Sequence, residues 1–199
     1  RMPRLLGFDP GSRLLMLEDV GIGSDYTGLY TGEALTSEEL ETLVNFLSTL
    51  HASSLGFNQD GRFNNQVMRQ LNHEHIFRVP LDPANGLDLD SITPGLSESA
   101  AELNQDNDHV NSVSELGKLY LQTGNSLLHG DFFPGSWLHS ENGPRIIDPE
   151  FCFFGSPEFD FGVLIGHLHL SNQPAELIDR TLQAYSASCS NLRKSTKLL

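Results

Sequence analysis

The stretch Leu128-His129-Gly130-Asp131-Phe132-Phe133-Pro134-Gly135-Ser136-Trp137-Leu138 constrains the fold more than any other part of the chain. An apolar strand runs into a charged triplet and leaves through a Gly/Pro turn, which sets Asp131 on a loop. Seventeen residues after Asp131, Ile146-Ile147-Asp148-Pro149-Glu150-Phe151 repeats the theme with two carboxylates two positions apart. On extended backbone, side chains at i and i+2 face the same way, so Asp148 and Glu150 are expected to converge on one hard divalent cation. The apolar neighbours Ile146, Ile147, Phe151, Phe153 and Phe154 favour the end of a buried strand over a solvated turn. Two short extended pieces, 126–129 and 145–148, are expected, separated by a loop and turn.

The rest of the chain reads as mostly helical. A hairpin opens it, with strands over 4–8 and 13–20 and a turn at Asp9-Pro10-Gly11-Ser12. Leu40, Leu43, Val44, Leu47 and Leu50 recur at helical period after Thr36 and Glu39, which are spaced as a capping box, and the helix should end near Ala52. Phe63, Val67, Met68 and Leu71 predict another helix, and a loop rich in Pro, Asp, Asn and Gly is expected over 79–94. A helix through Val110, Val113, Leu116, Leu119 and Tyr120 is expected to stop at Gly124, and two more are expected over 161–170 and 175–187. The fold class is α+β, mainly α, with no internal repeat.

Charge narrows the partners. Lys and Arg number 12 against 26 Asp and Glu, a formal charge of -14, so neither nucleic acid nor an anionic membrane is expected. A phosphate ligand would have to be held locally, by divalent metal and helix N-termini. Cys152 and Cys189 make no disulfide framework or zinc spacing, which fits a reducing cytoplasm. The opening residues lack the apolar stretch of a signal peptide, and no eighteen consecutive apolar residues occur, so the chain reads as soluble.

Phosphoryl transfer to a hydroxyl requires metal across the phosphates, a base that orients the acceptor, and a positioning scaffold. The spacing suits that division: Asp131 as base, Ser136 five residues on where kinases carry a metal-binding Asn, and Asp148 with Glu150 as metal ligands. The plainer readings apply elsewhere. His129 is expected to fix the loop through backbone hydrogen bonds. Asp160 reads as the N-cap of a helix beginning at Phe161. His73, His75, His167 and His169 read as core or surface residues, and Cys152 as a small buried hydrophobe. Trp137 and Phe132 suit packing under the loop as well as a pocket wall.

His-Gly-Asp with Ser at the fifth position, Ile-Asp-Pro-Glu-Phe, and Phe159-Asp160-Phe161-Gly162 together resemble the methylthioribose kinase branch of the aminoglycoside phosphotransferase and choline kinase superfamily. Ser136 and Glu150 carry the likeness to this branch, since most of the superfamily has Asn and Asp there. The segment 71–77 is similar as well, and Met16-Leu17-Glu18-Asp19-Val20 resembles the hinge whose backbone pairs with adenine. The resemblance implies a protein-kinase-like C-terminal lobe, with 1–20 as the end of the N-terminal lobe and hinge and 21–199 as the lobe itself. It also implies ATP and Mg2+ as cofactors, Glu18, Asp19, Val20, Asp148, Pro149 and Glu150 around the nucleotide, and transfer of the γ-phosphoryl group to the 1-hydroxyl of 5-methylthioribose in methionine salvage. No Gly-rich loop or strand-borne Lys precedes the hinge, so an inactive lobe is expected when the chain stands alone. A degenerate kinase-like binding module is the alternative, a metal-dependent hydrolase a weaker third. Apolar surface where another lobe would dock also makes a homodimer an expectation.

Overall fold

The computed structural model describes residues 1–21, 23–57, 61 and 63–196, with side chains through Ser188. The Cys189 side chain and those of the polar tail from Asn191 lie outside what it describes. The opening hairpin pairs β1 (Leu5–Asp9) antiparallel with β2 (Leu14–Leu17). The Asp9 carboxylate accepts the Gly11 N–H at 2.9 Å, closing the turn. β2 stops at Leu17, so Glu18, Asp19 and Val20 run on beyond the paired strand. A 3-10 turn, Tyr26–Thr31, then leads to α1 (Ser37–Ser53). Its start is the capping box that the spacing predicts: the Thr36 hydroxyl accepts the Glu39 N–H at 3.2 Å, and the Glu39 carboxylate accepts the Thr36 N–H at 2.9 Å.

In α2 (Gln66–His73) the apolar spacing that predicts the helix does not define its buried face. Val67 and Leu71 are exposed, while Arg69 and Asn72 are buried. The reason lies in α5 (Asn107–Tyr120), reached through two helices in the stretch read as loop and beyond, α3 (Leu89–Ile92) and α4 (Leu96–Gln105). The last carbonyls of a helix have no intrahelical donor. The Arg69 guanidinium supplies one, donating to the Tyr120 carbonyl at 2.6 and 3.1 Å and to the Gln122 carbonyl at 2.6 Å. α5 therefore ends at Tyr120, before Gly124. That glycine serves a close approach, since a Cβ on it would stand 2.0 Å from the Gly155 carbonyl oxygen.

The remaining strands are nested. β3 (Ser126–Leu128) pairs antiparallel with β6 (Phe153–Gly155), and inside that pair β4 (Trp137–Leu138) forms a hairpin with β5 (Arg145–Ile146). The two extended pieces read from the sequence thus belong to different sheets. Nesting brings the links between the sheets, 129–136 and 147–152, side by side. α6 (Glu158–Leu170) and α7 (Ala175–Thr196) follow, and α7 packs along α1. The first link is anchored at both ends in apolar cores. Leu128 packs with Tyr120 and Phe153, while Phe132 joins Leu43, Leu47, Trp137, Ile146, Leu164 and Leu168 in the main core. No helix among the described residues is long and apolar enough to cross a membrane.

Candidate active site

Gly130 permits the two links to touch. Its φ is +87°, and a Cβ there would lie 2.3 Å from the Phe151 carbonyl oxygen of the second link. Next to it the buried His129 ring ties the links together. Its Nε2–H donates to the Ile147 carbonyl at 2.8 Å, which leaves Nδ1 to accept the Asp131 N–H at 3.3 Å. His129 is a loop-fixing residue, as the sequence suggests. The Ile147 N–H in turn donates to the Ser136 carbonyl at 3.0 Å, so both ends of the first link are bonded to the same residue of the second.

Asp160 departs from its expected role. α6 begins at Glu158 with Pro157 before it, which puts Asp160 inside the first turn, 0% exposed, and not at an N-cap. The helix is entered through Pro157 without a side-chain cap bond, and just upstream the Ser156 hydroxyl bonds the Glu158 carboxylate. Asp160 turns inward instead. Its carboxylate accepts the His129 N–H at 2.6 Å and the Gly130 N–H at 2.9 Å, and it meets His51 Nε2 at 3.1 Å. The far side of the same glycine is held too: Asn72 Nδ2 donates to the Gly130 carbonyl at 2.9 Å and to the Tyr120 hydroxyl at 3.2 Å. Asn65, ahead of α2, donates to the Glu150 carbonyl at 2.7 Å and the Cys152 carbonyl at 2.9 Å. Asn65, Arg69 and Asn72 are spaced i, i+4, i+7: Asn72 braces the first link, Asn65 the second, and Arg69 the end of α5 between them in sequence. That polar spacing was the available signal; the apolar residues between them masked it.

The second link is not extended. β5 ends at Ile146, Asp148 is left-handed at φ 58° and ψ 57°, and Pro149–Phe151 forms a 3-10 turn. Asp148, Pro149 and Glu150 are all exposed. The alternation of an extended strand, which their spacing predicts, therefore does not set Asp148 and Glu150 on one face. Left-handed backbone costs a residue with a Cβ about 1–2 kcal/mol, tolerated best by Asn and Asp, and strain of this kind gathers at functional positions. Burial pushes the half-buried Asp131 carboxyl above the usual range; His129 draws it down, and the negative charges of Glu150, Asp148 and Asp160 push it further up. Asp131 thus feels both carboxylates of the second link.

Ser136, in the 3-10 turn Pro134–Ser136, is 1% exposed. Among the described residues no three or more His, Cys, Asp or Glu side chains are gathered closely enough to hold a metal ion by themselves. Two exposed carboxylates beside a third suit magnesium, which binds through one or two carboxylates and completes its shell with water and phosphate oxygens. None of the three acids lines the open cavity beside Glu18, Asp19 and Val20. Glu18, Asp19, Val20 and Gly21 make one wall of that cavity, about 620 Å³ in volume, and the 139–142 turn with Arg145 makes the other. The Glu18 N–H is bonded to the Arg4 carbonyl at 2.8 Å, which fixes the start of that wall.

A family model described as the phosphotransferase enzyme family matches residues 3–198. Among curated proteins, the chain is 28% identical over 152 residues to "Methylthioribose kinase" of Exiguobacterium sibiricum, covering 72% of this chain and 39% of that protein. It is 26% identical over 210 residues to "Methylthioribose kinase" of a Geobacillus species, covering 96% of this chain and 51% of that protein. To "Methylthioribose kinase 1" of Oryza sativa subsp. japonica it is 33% identical over 79 residues, 40% of this chain and 18% of that protein. The chain spans about half, or less, of the length of these relatives.

Proposed function

The chain belongs to the phosphotransferase enzyme family, and from that premise we propose that its two links serve ATP- and magnesium-dependent phosphorylation of a small-molecule alcohol. The acceptor we favour is the 1-hydroxyl of 5-methylthioribose, a step of methionine salvage in the cytoplasm. The similarity to proteins named methylthioribose kinase supports that choice. The observation that carries the reading is the His129 ring, bonded to Asp131 on one side and to Ile147, next to Asp148, on the other.

In this reading Asp131 is the base. A carboxylate whose pKa is raised by burial is better matched to taking a hydroxyl proton than an exposed one, and it works in its ionised form. Its main chain is fixed by His129, and the neighbouring Gly130 by Asp160 and Asn72, so its direction is set before substrate arrives. Asp148 and Glu150 would hold magnesium, with Ser136 at the place where the wider superfamily has Asn. Bound there, the ion would neutralise charge on the phosphates. Pro149 shapes the turn. Glu18, Asp19 and Val20 would receive adenine through their backbone in the neighbouring cavity. We assign 1–20 to the hinge side and 21–199 to the catalytic lobe. Leu5, Phe8, Leu15 and Met16 are exposed on the hairpin, which supports self-association as a further proposal.

The test is transfer from labelled ATP to 5-methylthioribose, measured for this chain and for a longer form extended to its relatives' length. Asp131→Asn should lower turnover by about 10²–10⁴-fold. Equal turnover in the variant would remove Asp131 from the chemistry. Nucleotide binding without turnover in either form would favour a kinase-like binding module.

A further inference from the structure

The first link carries two half-buried side chains, Asp131 and Phe133, on either side of Phe132, which is 0% exposed in the main core. The Phe133 N–H donates back to the Asp131 carbonyl at 3.2 Å, a three-residue turn with Phe132 at its apex. Sinking the apex residue leaves its two neighbours outside the core. The Phe133 ring is nevertheless held. Gly135 makes room for it, since a Cβ on that residue would stand 2.5 Å from Phe133 Cζ, and the ring packs against His167 of α6 at 5.7 Å between centroids.

His167 is tied in turn to the 3-10 turn Tyr26–Thr31, its Nδ1 lying 2.6 Å from the Tyr30 hydroxyl. In that turn Tyr26 and Leu29 are buried and Tyr30 is exposed. Burial lowers the His167 pKa and raises that of Tyr30, so both rings are uncharged near neutral pH. Whichever of the two gives the shared proton, the imidazole keeps Nε2 as a further donor or acceptor, and among the described residues no protein group takes it. An aromatic face beside a few convergent polar groups is how sites for small molecules are built.

We propose that Phe133, His167 and Tyr30 form the acceptor wall of the site: the Phe133 ring covers an apolar part of the acceptor, and the His167–Tyr30 pair bonds a hydroxyl other than the one phosphorylated. The acceptor's role rests on the kinase reading above, to which the wall adds a substrate class, an uncharged polyol with an apolar substituent. The trio carries no charge and its neighbour on the link, Asp131, is acidic, so an anionic acceptor finds no counter-charge in it.

Titrating 5-methylthioribose into the full isotope-labelled chain reads the wall without turnover. The ring protons of Phe133 and His167 and the amide of Asp131 should shift together on one saturation curve. Phe133→Ala should weaken this binding about tenfold and His167→Leu about 3–10-fold, with Tyr30→Phe, which keeps its ring, losing less. Ribose, which lacks the methylthio group, should bind the parent more weakly and lose little in Phe133→Ala. No shift of either ring in the parent overturns the wall even if no variant folds. So does binding that folded Phe133→Ala and His167→Leu leave unchanged. Shifts of both rings without one at Asp131 would uphold the wall and count against the kinase reading, whereas a shift at Asp131 alone would do the reverse.

Discussion

The two links of the site are held in opposite ways. The first is pinned from several sides: Asp160 takes two of its amides, Asn72 a carbonyl, His129 closes it internally, and Phe132 is sunk in the main core. The second exposes Asp148, Pro149 and Glu150, turns through a left-handed aspartate and is braced chiefly through its main chain, by Asn65, His129 and Ser136. The contrast matches the separate tasks proposed for them. A base must be aimed and partly desolvated, whereas ligands of a phosphate-bridging cation must stay open to water and to the incoming nucleotide.

If that contrast is right, the largest loss of stability should come from the pinned side. Asp160→Asn puts an amide hydrogen against buried N–H donors that need an acceptor, and leaving such a donor unsatisfied costs about 1–3 kcal/mol. Equilibrium urea unfolding measures it; a loss below 1 kcal/mol would mean that the first link is not held through Asp160. The second link should respond with the opposite sign. Asp148→Gly relieves the left-handed backbone and should add roughly 1 kcal/mol of stability, while weakening any magnesium-dependent nucleotide binding. A clear loss of stability instead would show that contacts hold the Asp148 side chain, and the comparison would collapse.

The smallest effect sharpens the comparison through pH. Burial raises the Asp131 carboxyl above its unfolded value, so the folded chain binds that proton more tightly than the unfolded chain. Its stabilising contribution is whole below the ordinary carboxylate range and is lost as pH rises through the raised value. Asp131→Asn should therefore unfold at a slightly higher urea concentration than the parent at pH 7, and the gap should close below about pH 4. A gap that widens on acidification would put Asp131 in an environment that favours its charge.

What the sequence disclosed was local. Thr36 and Glu39 sit three apart and are bonded as that spacing requires, and the first acidic motif lies on a link as its Gly and Pro content demands. What it hid was long-range or carried by backbone conformation. Asp160 has the look of an N-cap because its partners, His129 and Gly130, are 31 and 30 residues away. Polar residues of α2 face inward because they serve carbonyls of other segments, which no periodicity within the helix reveals. Asp148 reads as extended between apolar neighbours, yet nesting of the β4–β5 hairpin inside the β3–β6 pair leaves the second link to turn back through a left-handed residue. Residues 96–105 carry leucine and alanine without a strong stripe, and they form a helix with no buried residue of its own.

The central claim is that the two links make one cation site, and titrating Mn2+ into the isotope-labelled chain tests it most directly. The paramagnetic ion should broaden the amides of 131, 132, 148 and 150 together, leave those of β1 and β2 sharp, and broaden neither link in Asp148→Ala. Broadening confined to one link, centred elsewhere, or absent from both would contradict it.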